Sequence, residues 1–104
     1  MTVDDLRSTL RDAAPPAGLP ALLNALWFAG HGDWSGAHAI AQDVDNSDGA
    51  WVHAHLHRVE GDADNAAYWY RRASKPVCTL SYDDEWADIA RALLSTERIV
   101  APGP

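Results

Sequence analysis

The run His53-Ala54-His55-Leu56-His57 places three imidazoles within five residues. Imidazole is the commonest protein ligand for transition metals and titrates close to neutral pH. On an α-helix successive residues turn by about 100°. His53 and His57 therefore share one face, and Glu60 joins them at i, i+4 and i+7. Two imidazoles and a carboxylate stacked in this way suit Zn²⁺ or another divalent transition metal, with coordination positions left open. A pair on one helix needs at least one further ligand for tight binding, and His31, His38 or an aspartate are the candidates. His55 points away from that face. There is no HExxH motif and no cysteine beside the histidines, so the plainer reading is a polar, histidine-rich face that caps carbonyls or meets a partner. Metal binding through His53, His57 and Glu60 stands as the alternative.

A second group with chemical potential is Tyr68-Trp69-Tyr70-Arg71-Arg72. Three aromatics in succession span too wide an arc for one buried stripe, so at least one ring must lie near the surface. Aromatics beside guanidinium groups make a natural binding or dimer patch, here Tyr68, Trp69, Arg71 and Arg72. Cys78 has only apolar or neutral neighbours in sequence, and it reads as a small packed residue rather than a nucleophile. Asp83-Asp84-Glu85 falls at a helix start, where capping and the helix dipole account for it. The acids between Asp43 and Gly49 lack the spacing and central glycine of a calcium loop. No phosphate loop, nucleophile elbow or split pair of carboxylates is present. An enzyme with a pocket between helical hairpins and a last helix has no motif behind it, so the chain reads as non-catalytic.

The elements that position these groups are helical. In residues 2–13, Val3, Leu6 and Leu10 recur at helical spacing, with Thr2 as N-cap and Asp4 and Asp5 in the first turn. Pro15, Pro16 and Gly18 break that segment. A second helix opens at Pro20, carries Leu19, Leu22, Leu23, Leu26 and Trp27, and stops at Gly30-His31-Gly32. Asp33 caps a third, to about Val44, with the stripe Trp34, Ala37, Ile40 and Ala41. A loop over residues 43–49 leads to a fourth helix over residues 50–60, capped by Ser47 or Asp48, with Val52, Leu56 and Val59 inward. Asp62 caps a fifth over residues 63–74, with Ala63, Ala66, Ala67, Tyr70 and Ala73 on one face, and Lys75-Pro76 stops it. A sixth runs from Tyr82 or Asp83 to Thr96 along Tyr82, Trp86, Ile89 and Leu93. Residues 101–104 form a frayed tail. The expectation is one all-α domain over residues 1–104, with the five tryptophans filling its core.

Gly32-Asp33-x-x-x-Ala37 and Gly61-Asp62-x-x-x-Ala66 repeat one pattern 29 positions apart, each between a helix that ends and one that begins. Glycine reverses the chain, aspartate caps the next helix, and alanine lets the two helices approach. Two antiparallel hairpins follow, over residues 19–44 and 48–74. The second unit resembles a tetratricopeptide repeat: Trp51 stands at the early tryptophan of its first helix, Gly61-Asp62 at the turn, and Ala66, Tyr70 and Ala73 at the small-aromatic-small series. The first unit is similar through Gly32, Asp33, Ala37 and Trp27. The offset is shorter than the about 34 residues of that family, and Ala54-His55 stands where a leucine-glycine pair is usual. The resemblance implies a scaffold whose first helices line a peptide-binding face, too short with two repeats to act without flanking helices or a second subunit.

Composition narrows the partners. Fifteen acidic against eight basic side chains give a formal charge of −7. That field repels phosphate backbones and anionic lipid, so nucleic acid and membranes are excluded as expected partners. Basic peptides, basic proteins, cations or a second copy of the chain fit it better. No apolar run approaches the roughly 20 residues of a membrane span, residues 1–13 lack a signal-peptide segment, and one cysteine makes no internal disulfide. A cytoplasmic location is the expectation.

Overall fold

The computed structural model describes the backbone of residues 1–100 and the side chains of residues 1–95; the tail expected to fray lies outside them. Six α-helices and no strands make up the described residues. They are α1 (Val3–Ser8, continued as a 3-10 turn over Thr9–Arg11), α2 (Ala21–Gly30), α3 (Trp34–Ala41), α4 (Ser47–Val59), α5 (Ala63–Arg72) and α6 (Tyr82–Val100). Among the described residues no helix is long and apolar enough to cross a membrane.

The two Gly-Asp bends have the same backbone geometry. Gly32 and Gly61 take φ of +88° and +90°, a conformation that side chains rarely adopt. Asp33 and Asp62 follow at φ −99° and −95°, both with ψ of 80°. Their carboxylates accept hydrogen bonds from the main-chain N–H groups of Gly36 and Asn65, three residues on. Each bend folds a helix back on its predecessor, so α2 packs on α3 and α4 on α5.

Helix α6 closes the fold by packing against α1, α2 and α4. Leu6, Leu23, Leu26, Trp27, Val52, Leu56, Trp86 and Ile89 form the main core, all nearly or wholly withdrawn from solvent. Of the five tryptophans only Trp27 and Trp86 are fully buried; Trp34, Trp51 and Trp69 are half-buried. Val59 and Tyr82, expected inside, are exposed.

Helices α3 and α6 end at Ala41 and Val100, not at about Val44 and Thr96, and three other ends differ from expectation for local reasons. Helix α4 starts at Ser47 because Asn46, not Ser47 or Asp48, is the cap, its Oδ1 accepting from Gly49 N at 2.8 Å. Gly49 fits the first turn because a Cβ there would overlap the Val44 carbonyl oxygen. Helix α5 ends before Pro76, because Ser74 adopts φ +58° and Lys75 N–H bonds back to the Tyr70 carbonyl. Helix α1 shortens into the 3-10 turn, whose Thr9 accepts the Trp27 indole N–H at 3.1 Å.

Candidate metal centre

Helix α4 carries buried polar side chains in two directions. His53 and His57 turn toward α3 and α5, as their spacing requires. They meet His38, one turn after Trp34 on α3. One ligand-type nitrogen from each of the three imidazoles lies within 4.8 Å of the other two. The Nε2 atoms of His53 and His38 are 2.9 Å apart and share a hydrogen bond. The His53 and His57 rings stack at 4.8 Å between centroids, and both lie edge-on to His38.

Two tryptophans hold the rings in place. Trp34 stacks on His38 at 4.7 Å, and its indole N–H is fixed by the Leu56 carbonyl at 2.6 Å. Trp69 stacks on His53 at 3.9 Å and 14°. Glu60 reaches His57, not His53: its Oε2 accepts from His57 Nδ1 at 2.6 Å. That bond sets the tautomer and leaves Nε2 of His57 with its lone pair exposed to a ligand, the usual arrangement of a carboxylate behind a metal-binding imidazole. A second group within the same 4.8 Å limit, His57, Glu60 and Asp62, is built mostly from exposed carboxylates.

Burial sets the protonation of the cluster. His53 is pushed down to about 4 from the ordinary 6.5, first by burial and then by its neighbours His38 and His57. His38 is lowered as well, by burial and by His57. Neutral imidazoles are what a metal requires. A tetrahedral zinc with bonds of 2.0–2.1 Å would set its nitrogens about 3.3 Å apart. The His38–His53 pair need open by only about 0.4 Å to reach that value.

Trp69 thus joins the two groups that the sequence suggested separately. The outer layer is Tyr68, exposed, whose hydroxyl accepts from Arg72 Nη1 at 3.2 Å. The Arg72 guanidinium lies 5.2 Å from the Trp69 ring and 5.9 Å from Tyr68, with Arg71 at 6.0 Å from Tyr68. His31 is elsewhere, stacked on Trp27 with Nε2 against the Asp12 carbonyl.

His55 turns the other way, into a separate network that the sequence did not reveal. Its Nδ1 donates to Glu85 Oε1 at 2.7 Å, Arg58 Nη1 donates to the same oxygen at 3.0 Å, and the Tyr70 hydroxyl donates to Oε2. Glu85 is 2% exposed. Burial alone would raise its pKa, but the bonds from His55, Tyr70 and Arg58 outweigh burial and hold the carboxyl below its ordinary range. The acidic run at the start of α6 is thus not wholly a capping device: Asp83 and Asp84 are exposed, and Glu85 is an anchor of the core. Burial and the nearby Glu85 carboxylate push the Cys78 thiol up, which lowers its thiolate fraction.

No family model matches this sequence, and comparison with curated proteins and with solved structures gives no match.

Proposed function

We propose that this protein binds a divalent transition metal, with Zn²⁺ as the reference ion, through His38, His53 and His57. The observation that carries the reading is the meeting of three imidazoles from two helices, at a place where burial lowers the pKa of His38 and His53. The three rings bring one ring nitrogen each to one point. The hydrogen bond between His38 and His53 joins two of the rings, and a cation would engage all three. Glu60 supplies the outer bond that orients His57. Three protein ligands leave at least one position for water or a small ligand, as in exchangeable or catalytic sites rather than closed structural ones.

The test is titration of metal-free protein, purified without nickel resin, with Co²⁺ followed by its visible absorption and then by zinc displacement. One equivalent should bind, and His53→Ala with His57→Ala should abolish it, while His31→Ala leaves it intact. Sub-stoichiometric binding, or zinc affinity unchanged in the double variant, removes the proposal.

A second reading, a scaffold for a protein or peptide partner or for a second copy, is favoured by the two equivalent bends and by exposed apolar side chains. These are Val59, Tyr68, Val77, Leu80 and Tyr82. The tetratricopeptide-like pattern belongs with this reading. Sedimentation equilibrium tests self-association, and a monomer at all concentrations with no partner in cross-linking counts against it.

A further inference from the structure

On the opposite side of α4 from the histidine cluster, a cavity of about 340 Å³ opens between α1, α2, α4 and α6. Its walls are Leu10, Ala29, Leu56, Val59, Trp34 and Trp86, with Gly30 letting Leu10 pack closely against α2. A Cβ on Gly30 would sit 2.8 Å from a methyl of Leu10. The indole N–H groups of Trp34 and Trp86 are both committed to main-chain carbonyls, of Leu56 and Leu26. The tryptophans therefore offer the cavity hydrocarbon only.

His55, held through Nδ1 by Glu85, also lines the cavity, and Arg7 and Asp83 bring charge of both signs to the mouth. Arg7 lies over the Trp86 ring at 5.5 Å. Its Nε has no hydrogen-bond partner among the described residues, and its terminal nitrogens reach Asp83 and Asp4 only at 3.5 and 3.8 Å. Both carboxylates are largely exposed. Such long surface pairs are worth roughly 0–1 kcal/mol, so the guanidinium has donors available and Asp83 has acceptors available. The volume lies at the small end of the roughly 300–1,000 Å³ of small-molecule sites, enough for one compact ligand and not for a peptide.

We infer that this cavity takes a free α-amino acid with an apolar side chain. The side chain fills the space between Trp34, Leu56 and Trp86, the α-carboxylate replaces the long contacts of Arg7, and the α-ammonium goes to Asp83. A pure anion would leave Asp83 repelling it and a pure cation would meet Arg7, so a zwitterion alone matches both. The inference does not depend on the metal proposal.

The experiment is a titration of the full chain followed through the indole N–H signals of Trp34 and Trp86 by NMR. L-phenylalanine is the probe, with phenylacetate and phenethylamine as its single-charge counterparts. Saturable shifts at both indoles with phenylalanine are expected, with at least tenfold weaker binding of each counterpart. Asp83 is exposed and Arg7 half-buried, and Arg7→Gln and Asp83→Asn should each weaken phenylalanine about tenfold. Arg7→Gln alone should weaken phenylacetate, and Asp83→Asn alone phenethylamine. No saturable shift below 10 mM probe, or a counterpart that binds as tightly as the amino acid, overturns the inference, and so does indifference to both substitutions.

Discussion

Lowering the pH from 8 to 4.5 in the absence of metal should weaken the fold through His53, by an amount that follows from its surroundings. In the unfolded chain this imidazole has its ordinary pKa of 6.5, whereas in the fold it is pushed down to about 4. The unfolded state therefore binds more protons than the folded one at any pH below 6.5, so stability falls as pH falls and the loss is complete only below pH 4. At pH 4.5 the unfolded imidazole is almost wholly charged, and the folded one is roughly one-quarter charged. The difference amounts to about 2.5 kcal/mol, rising toward about 3.4 kcal/mol below pH 4. For a domain of this size that is a large share of the total of roughly 5–15 kcal/mol.

Carboxylates also titrate in the lower part of this window, so the measurement must isolate one group. Urea denaturation of the wild type and of His53→Gln, at matched pH values from 8 to 4.5, cancels what the two proteins share. The stability difference between them should change by about 2.5 kcal/mol in the variant's favour as pH falls. The ring proton of His53, followed by NMR, should still titrate well below pH 5. A difference curve flat to within about 0.5 kcal/mol, or a His53 midpoint at 6 or above, would show that the cluster is hydrated and the reasoning wrong.

Glu60→Gln keeps the shape but loses the carboxylate behind His57, and competition with a chromophoric chelator should show zinc affinity lowered roughly 10–100-fold. Glu85→Ala strips the acceptor from buried His55 and Tyr70, while half-buried Arg58 keeps the Leu80 carbonyl, so denaturation should record a loss of about 2–5 kcal/mol; a loss under about 1 kcal/mol would mean that the network contributes no more than a surface pair. Gly49→Ala drives a Cβ into the Val44 carbonyl and should cost about 2 kcal/mol or more by the same assay. Gly18→Ala meets no atom within 4 Å but must hold φ near +82°, so its smaller loss, about 1 kcal/mol, calibrates backbone strain against steric overlap.

The hairpin bends could be read from sequence because each is fixed by local chemistry. Glycine at positive φ followed by a capping aspartate needs no partner outside the turn. The pairing of His53 with His57 is similarly local, a matter of four residues on one helix. Asn46 was obscured because Ser47-Asp48-Gly49 has the composition of a turn, and only the tight approach to Val44 makes glycine suitable inside a helix there. His38 and Glu85 stand 15 and 30 positions from their partners His53 and His55, and no periodicity reports such distances. The i, i+4 spacing of Trp34 and His38 was the one available signal, since it puts His38 on the face of α3 that carries a large aromatic. Glu85 gave none: an acid in the first turn of a helix is already explained, so its burial had no mark in the sequence.

The two polar clusters on α4 differ in how completely they are satisfied, and this difference separates structure from function. A carboxylate accepts about four hydrogen bonds. Glu85 takes one each from His55, Arg58 and Tyr70, and the charge of Arg58 balances its own. That network is closed: nothing need be added to make it stable, and removing any member leaves another exposed to a low-dielectric interior. The imidazole cluster is not closed. His57 Nδ1 bonds to Glu60 and one bond joins His38 to His53, while a nitrogen of each ring lies within 4.8 Å of the other two. Burial prevents a proton from being the remedy at neutral pH. The rings are held by stacking on Trp34 and Trp69, and the metal proposed above would engage the ring nitrogens that the protein itself leaves without a full set of partners. A formal charge of −7 attracts cations generally and would raise their local concentration at such a site.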